Sequence, residues 1–160
     1  AYKKGLIHKE VDFATLKDTV LSDQYVNTIL QKQAVYLTQY RQRITAMITI
    51  CKASNVKPIL ITQPSMFGNF TDSATMINMA SKIIPDTDPL TNAAVMEKVL
   101  GLYNDVVKSF GNEVKVIDLA AQMPKNSIYY YDFMHYTNAG CGKIAAIISS
   151  QIVPYIKTNN

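Results

Sequence analysis

Tryptophan is absent from this chain of 160 residues, and histidine and cysteine occur only twice each. Cys51 and Cys141 are too few for a disulfide framework or a metal knuckle. Each falls in a helical apolar pattern, where a buried free thiol is expected. Only His8 could join His135, and no carboxylate–histidine cluster has ligand spacing, so neither a metal nor any other cofactor is expected. No apolar run reaches the ~18 residues of a membrane span, and the pattern of a signal peptide is missing. The sequence itself selects no compartment. Basic runs are also missing: lysine and arginine are scattered, and the net charge is only +4. That pattern describes a solvated surface rather than a nucleic-acid face. No loop has the glycines of a phosphate cradle, which sets aside nucleotide binding. Neither repeats nor a low-complexity linker divide the chain.

What remains is a globular composition, 48 % hydrophobic and 18 % charged, enough for one domain with a sizeable core. Residues 1–22 show no period and read as loop plus a short helix. Val26, Ile29, Leu30, Ala34, Leu37, Tyr40, Ile44, Met47, Ile48 and Cys51 then recur at three- and four-residue steps. They predict one long helix over 24–53, ended by Ser54-Asn55. Ile59 to Thr62 is apolar on both faces, suiting a strand covered on both sides. Residues 65–90 are rich in loop formers, with a helical interlude around 74–83. A connection this long suggests a lid or binding loop that shapes a pocket.

Asp88-Pro89 and Thr91 signal a helix start. Val95, Met96, Val99, Leu102, Tyr103, Val106, Val107 and Phe110 mark the helix itself, closed by Gly111-Asn112. Residues 114–120 predict a second strand. Thr137 is the expected N-cap of a last helix carrying Ile144, Ile147, Ile148 and Ile152 and ended by Pro154. Alternating helices and strands imply an α/β fold with a parallel sheet flanked by helices. Two strands are few for such a sheet, where about five are typical. The expectation is therefore the C-terminal part of a larger domain, its first strands lying outside residues 1–160.

In open α/β sheets, ligands gather beyond the carboxyl ends of the strands. Asp132 and His135 fall in the loop after the second strand, three residues apart among aromatics that could wall a pocket. A carboxylate beside an imidazole can accept its Nδ1–H, fix the tautomer and stabilise the imidazolium, so that Nε2 takes a proton from a hydroxyl nucleophile. Read from the residues alone, a structural pair stays open: Asp132 capping a turn and His135 bonded to a carbonyl. Gln63, directly after the first strand, and Tyr136, in the aromatic run, are the candidate substrate contacts.

The stretch "YDFMHYTNAGCGKIA", Tyr131–Ala145, resembles the last block of the SGNH (GDSL-type) hydrolases. There an Asp-x-x-His precedes a helix, with a Thr two residues after the His and a Gly further on, here Asp132, His135, Thr137 and Gly140. "YRQRITAMITICKASNVKPILITQP" resembles the family's long helix and following strand, and "YNDVVKSFGNEVKVIDLA" the helix and strand before the catalytic loop. The similarity spans nearly all of residues 24–155. It implies a three-layer, flavodoxin-like parallel sheet and a serine ester hydrolase, esterase or lipase-like, with His135 as general base and Asp132 as its orienting carboxylate. The substrate would be a small-molecule, carbohydrate or lipid ester. The family's nucleophile lies in a Gly-Asp-Ser segment, and no such tripeptide occurs in this sequence. The family's oxyanion-hole blocks are missing as well. The resemblance thus makes residues 1–160 the C-terminal portion of one SGNH-like domain, partnered by its N-terminal part and almost inactive alone. Family habit leans toward an extracytoplasmic protein. The alternative is a non-catalytic α/β binding or scaffold module with a structural Asp–His pair.

Overall fold

The computed structural model describes residues 10–85, 87 and 90–158. His8 and the Asp88-Pro89 start signal lie outside them. A single 3-10 turn at Phe13–Thr15 stands in the irregular N-terminal segment.

Helix α1 runs Asp23–Ala53, beginning where the Ser22 hydroxyl accepts the Tyr25 N–H at 3.3 Å. It stops where Asn55 turns into the left-handed region (φ 57°) and the Val56 N–H reaches back to the Cys51 carbonyl. Of its expected stripe, Val26, Ile29, Ile44 and Ile48 are buried, but Met47 is exposed. The stripe was too wide: α2 is the helix packed along α1, and one neighbour covers a narrow line.

Strand β1, Ile59–Ile61, pairs in parallel with β2, Lys115–Ile117, with Leu60 opposite Val116. Those two side chains pack with Ile44 and Ile48 of α1, with Val106 and Val107 of α2, Ala93–Lys108, and with Phe110 just beyond it. Ile61 is 39 % exposed, so β1 is not covered on both sides as its apolar run suggested. Among the described residues, β1 has β2 as its one strand neighbour, and its other edge is open. The result is an α/β arrangement, a two-stranded parallel sheet flanked by helices.

The second strand is shorter than 114–120. The Asp118 side chain accepts the Ala121 N–H, and the Thr62 hydroxyl accepts the Ala120 N–H at 2.9 Å, turning the chain into the short helix α3, Leu119–Gln122. Helix α2 is capped by Asn92 rather than Thr91, through Val95 N–H at 3.1 Å. It ends at Lys108, before Gly111, whose N–H still bonds the Lys108 carbonyl.

Helix α4, Asn138–Thr158, starts as expected: the Thr137 hydroxyl accepts the Gly140 N–H at 3.1 Å. It does not end at Pro154, which lies inside it. Pro154 is exposed, so water can reach the carbonyl its missing N–H would have bonded. Cys141, expected buried, is exposed because α4 turns Ile144 and Ile147, not that face, to the core. By length and composition, α4 is the one helix among the described residues apolar enough to cross a membrane. Its mean hydropathy of 1.2 is weak, and the turns carry Lys143 and Lys157. That is consistent with no membrane span.

Residues 65–90 overturn their expectation most clearly. No helix forms over 74–83. Asp72 accepts the Ala74 N–H, Asn78 accepts the Ala80 N–H, and Thr71 bridges Asn78 in antiparallel fashion. These side chains take backbone donors that a helix would need. Nor is the segment a lid. Met66, Phe67, Met79 and Ile84 are buried with Phe13, Ala93, Met123, Tyr130 and Phe133 in the main core cluster.

Candidate active site

The sequence between α3 and α4 folds into a short irregular hairpin. Tyr130 bridges Tyr136, the Thr137 N–H bonds the Tyr129 carbonyl at 3.0 Å, and the Tyr131 N–H bonds the His135 carbonyl at 3.2 Å. Thr137 also donates its hydroxyl to the Ile128 carbonyl at 2.7 Å. Gly140 closes the base. A Cβ there would fall on the Tyr129 carbonyl oxygen and within 3.1 Å of the Tyr136 Cβ. The glycine is needed for close approach, not for its φ.

Asp132 and His135 form the hairpin tip. Asp132 Oδ1 accepts two backbone N–H groups, from Met134 and His135, each at 2.7 Å. Its Oδ2 holds His135 Nδ1 at 2.7 Å. The spacing of three is what lets one carboxylate close the turn and grip the ring together. Burial alone would push the Asp132 carboxyl up, but the two backbone donors and His135 outweigh it and hold the carboxyl below its ordinary value. The carboxylate is 18 % exposed and the imidazole 53 %. Tyr131 stacks on the His135 ring, centroids 5.6 Å apart and planes within 12°. The ring is therefore held by a carboxylate at one edge and an aromatic face on one side.

The tip is exposed, but its footing is not. Phe133, between the pair, is buried against Phe67 at 5.4 Å and Phe13 at 5.1 Å. Its carbonyl accepts the Met66 N–H at 2.8 Å, and the Tyr131 carbonyl accepts the Val11 N–H at 2.7 Å. Segments at positions 11, 66 and 133 thus converge beneath one turn.

Gln63 and Tyr136 also meet. Gln63 Nε2 donates to the Tyr136 hydroxyl at 2.8 Å, and that hydroxyl donates to the Pro64 carbonyl at 3.1 Å. Burial pushes the Tyr136 phenol up despite the Gln63 bond that favours its ionised form. The strand exit at Gln63 is itself gripped by Asn104 of α2, which accepts its N–H at 2.8 Å and donates to its carbonyl at 3.0 Å. Sequence reading missed Asn104. A polar residue beside the apolar stripe of α2 was its only signal. It also missed Glu97 and Lys125, which pair with each other, with Lys125 further donating to the Phe67 carbonyl.

Family models, curated proteins and solved structures give no match to this chain. The chemistry of the site is read from its own geometry. An imidazole whose Nδ1 is bound to a carboxylate presents Nε2 for proton transfer. Among the described residues, no group of three His, Cys, Asp or Glu side chains could hold a metal ion. Ser65 does not resemble a nucleophile: it is buried in the loop after β1, and its Oγ accepts the Phe67 N–H. Tyr130 is buried, its hydroxyl has no partner among the described residues, and burial pushes its phenol up.

Proposed function

We propose that the chain supplies the base half of a serine ester hydrolase. Asp132 holds His135 in the Nδ1–H tautomer, and Nε2 removes the proton from a serine hydroxyl as it attacks the ester carbonyl. The alkoxide leaves with that proton returned by His135, and water releases the acid by the same route. The observation that carries this reading is the 2.7 Å contact of Asp132 with His135 Nδ1, made by a carboxylate already fixed by two backbone donors. The likeness of Tyr131–Ala145 to the SGNH block, with Thr137 and Gly140 at its Thr and Gly positions, supports it. The serine, absent here as a Gly-Asp-Ser segment, comes from another segment of the same domain.

That segment has somewhere to go. The open edge of β1 and the exposed Ile61 fit further strands. The exposed Val35, Tyr36, Met47 and Ile50 of α1 and Val153 and Ile156 of α4 fit further layers. Added there, strands would extend the sheet into the three-layer, flavodoxin-like form.

A second reading has its own observation: Asp132 Oδ1 shapes the turn whether or not His135 reacts. Hydrolysis by the full-length protein separates them. p-Nitrophenyl acetate hydrolysis by the full-length protein should fall by orders of magnitude in His135→Ala, while residues 1–160 alone should hydrolyse it no faster than buffer. Unchanged hydrolysis in His135→Ala leaves the structural reading standing.

A further inference from the structure

Asp132 fixes the imidazole against its own turn: its two oxygens are spent on residues 134 and 135. What the turn is fastened to decides where the ring stands in the fold. On one side Phe133 is buried, and its carbonyl takes the Met66 N–H at 2.8 Å. On the other side stands Tyr136, the residue after the candidate base. Its half-buried ring lies 5.2 Å from that of Tyr130, and its hydroxyl reaches the end of β1.

The bonds there form a closed set. The Tyr136 hydroxyl donates its one hydrogen to the Pro64 carbonyl at 3.1 Å and accepts from Gln63 Nε2 at 2.8 Å. The other Nε2 hydrogen goes to the same Pro64 carbonyl at 3.1 Å. The Gln63 backbone is held in turn by Asn104, at 2.8 Å through its N–H and 3.0 Å through its carbonyl. A polar chain thus runs from α2 through the strand exit to the neighbour of His135. Every side-chain hydrogen that Gln63 and Tyr136 could donate is spent inside the set.

We infer that Gln63 and Tyr136 are positioning residues, an amide–hydroxyl clamp that sets where His135 stands against the carboxyl end of β1. The catalytic consequence rests on the esterase reading. The clamp itself does not. A catalytic group must be held within about 0.5 Å of its productive place, and drift of about 1 Å costs about 10²-fold in rate. Asp132 cannot correct such drift, because it travels with the turn. Without the Tyr136 hydroxyl the turn keeps its shape and its tautomer but pivots on Phe133.

In the full-length protein, Tyr136→Phe and Gln63→Ala should each lower kcat for p-nitrophenyl acetate about 10- to 100-fold at unchanged KM. His135 serves both acylation and deacylation, so the loss shows whichever step limits. The double variant should lose no more than either single one, because the two side chains act together. A direct substrate contact would instead raise KM at constant kcat. In the ¹⁵N-labelled chain, relaxation dispersion at the Met134 and His135 amides should be absent from the parent and appear in both variants. The imidazole ¹⁵N shifts should stay at their parental values. If Tyr136→Phe does not fold, Gln63→Ala, at an exposed position, decides. An active parent whose variants keep kcat, raise KM alone or lose rate additively overturns the inference and leaves the esterase reading intact. An inactive parent removes the esterase reading, and dispersion at those two amides then decides the clamp.

Discussion

Alanine at Gly140 is the most informative single change in the hairpin, because two effects of opposite sign meet there. Gly140 lies in the first turn of α4, where alanine is favoured over glycine by about 1 kcal/mol on propensity. Against this, its Cβ would overlap the Tyr129 carbonyl oxygen, lie 3.0 Å from the Tyr129 carbonyl carbon and lie 3.1 Å from the Tyr136 Cβ. Backbone cannot step aside as a flexible side chain would. Overpacking of this kind costs about 1–3 kcal/mol. Moving Tyr129 also gives up the Thr137 N–H bond to its carbonyl, worth about 1 kcal/mol.

The sum is a net loss of about 2 kcal/mol, a fall in Tm of about 4–8 °C for a domain of this size. Thermal unfolding followed by circular dichroism measures it. Gly101→Ala is the control: nothing lies near its Cβ, so propensity acts alone and Tm should rise by about 2–4 °C. A Gly140→Ala protein as stable as its parent, or more stable, would refute the steric account of the hairpin.

Asp132→Asn should leave the fold near parental stability but lower esterase activity of the full-length protein about 10³–10⁴-fold, because an amide can present the wrong hydrogen-bonding group to Nδ1. Imidazole ¹⁵N shifts should report loss of the Nδ1–H tautomer. Tyr130→Phe should be neutral or stabilising in urea unfolding, since it removes a buried hydroxyl with no partner. A loss above about 1 kcal/mol would mean that the hydroxyl is satisfied. For Asp72, burial pushes the carboxyl up, but bonds from Thr75, Ser127 and Ala74 outweigh it and hold the folded value below 3.8. A depressed carboxyl contributes stability that is present above its unfolded value and lost as pH falls through the folded one. Urea midpoints should therefore drop below about pH 4, less steeply in Asp72→Asn.

Periodic features were legible in the sequence. α1, α2 and α4 followed their three- and four-residue steps, and Thr137 announced its helix because capping is a local act of one side chain. The Asp132–His135 pairing could be read from spacing, since a turn of four residues joins them. What could not be read depends on non-local packing. Met66, Phe67 and Met79 follow neither a helix nor a strand period, yet they fill the core. Asp72 looked like loop polarity, although its carboxylate is buried and ties residues 74–75 to Ser127. The grip of Asn104 on Gln63 spans 41 positions, and no pattern within either segment encodes it.

The convergence beneath Phe133 has a consequence for the order of folding. Ring contacts from Phe13 and Phe67 and backbone bonds from Val11 and Met66 join positions as far as 120 apart in the chain. Such closures come at a high loop entropy and form slowly, whereas α1 and α2 can coil locally in microseconds. The Asp132–His135 tip therefore takes its shape among the last events of folding. In a pulse-labelling experiment the amides of Met134 and His135 should gain protection after those of Ile44 and Val106, and the grip of carboxylate on imidazole would signal a finished core.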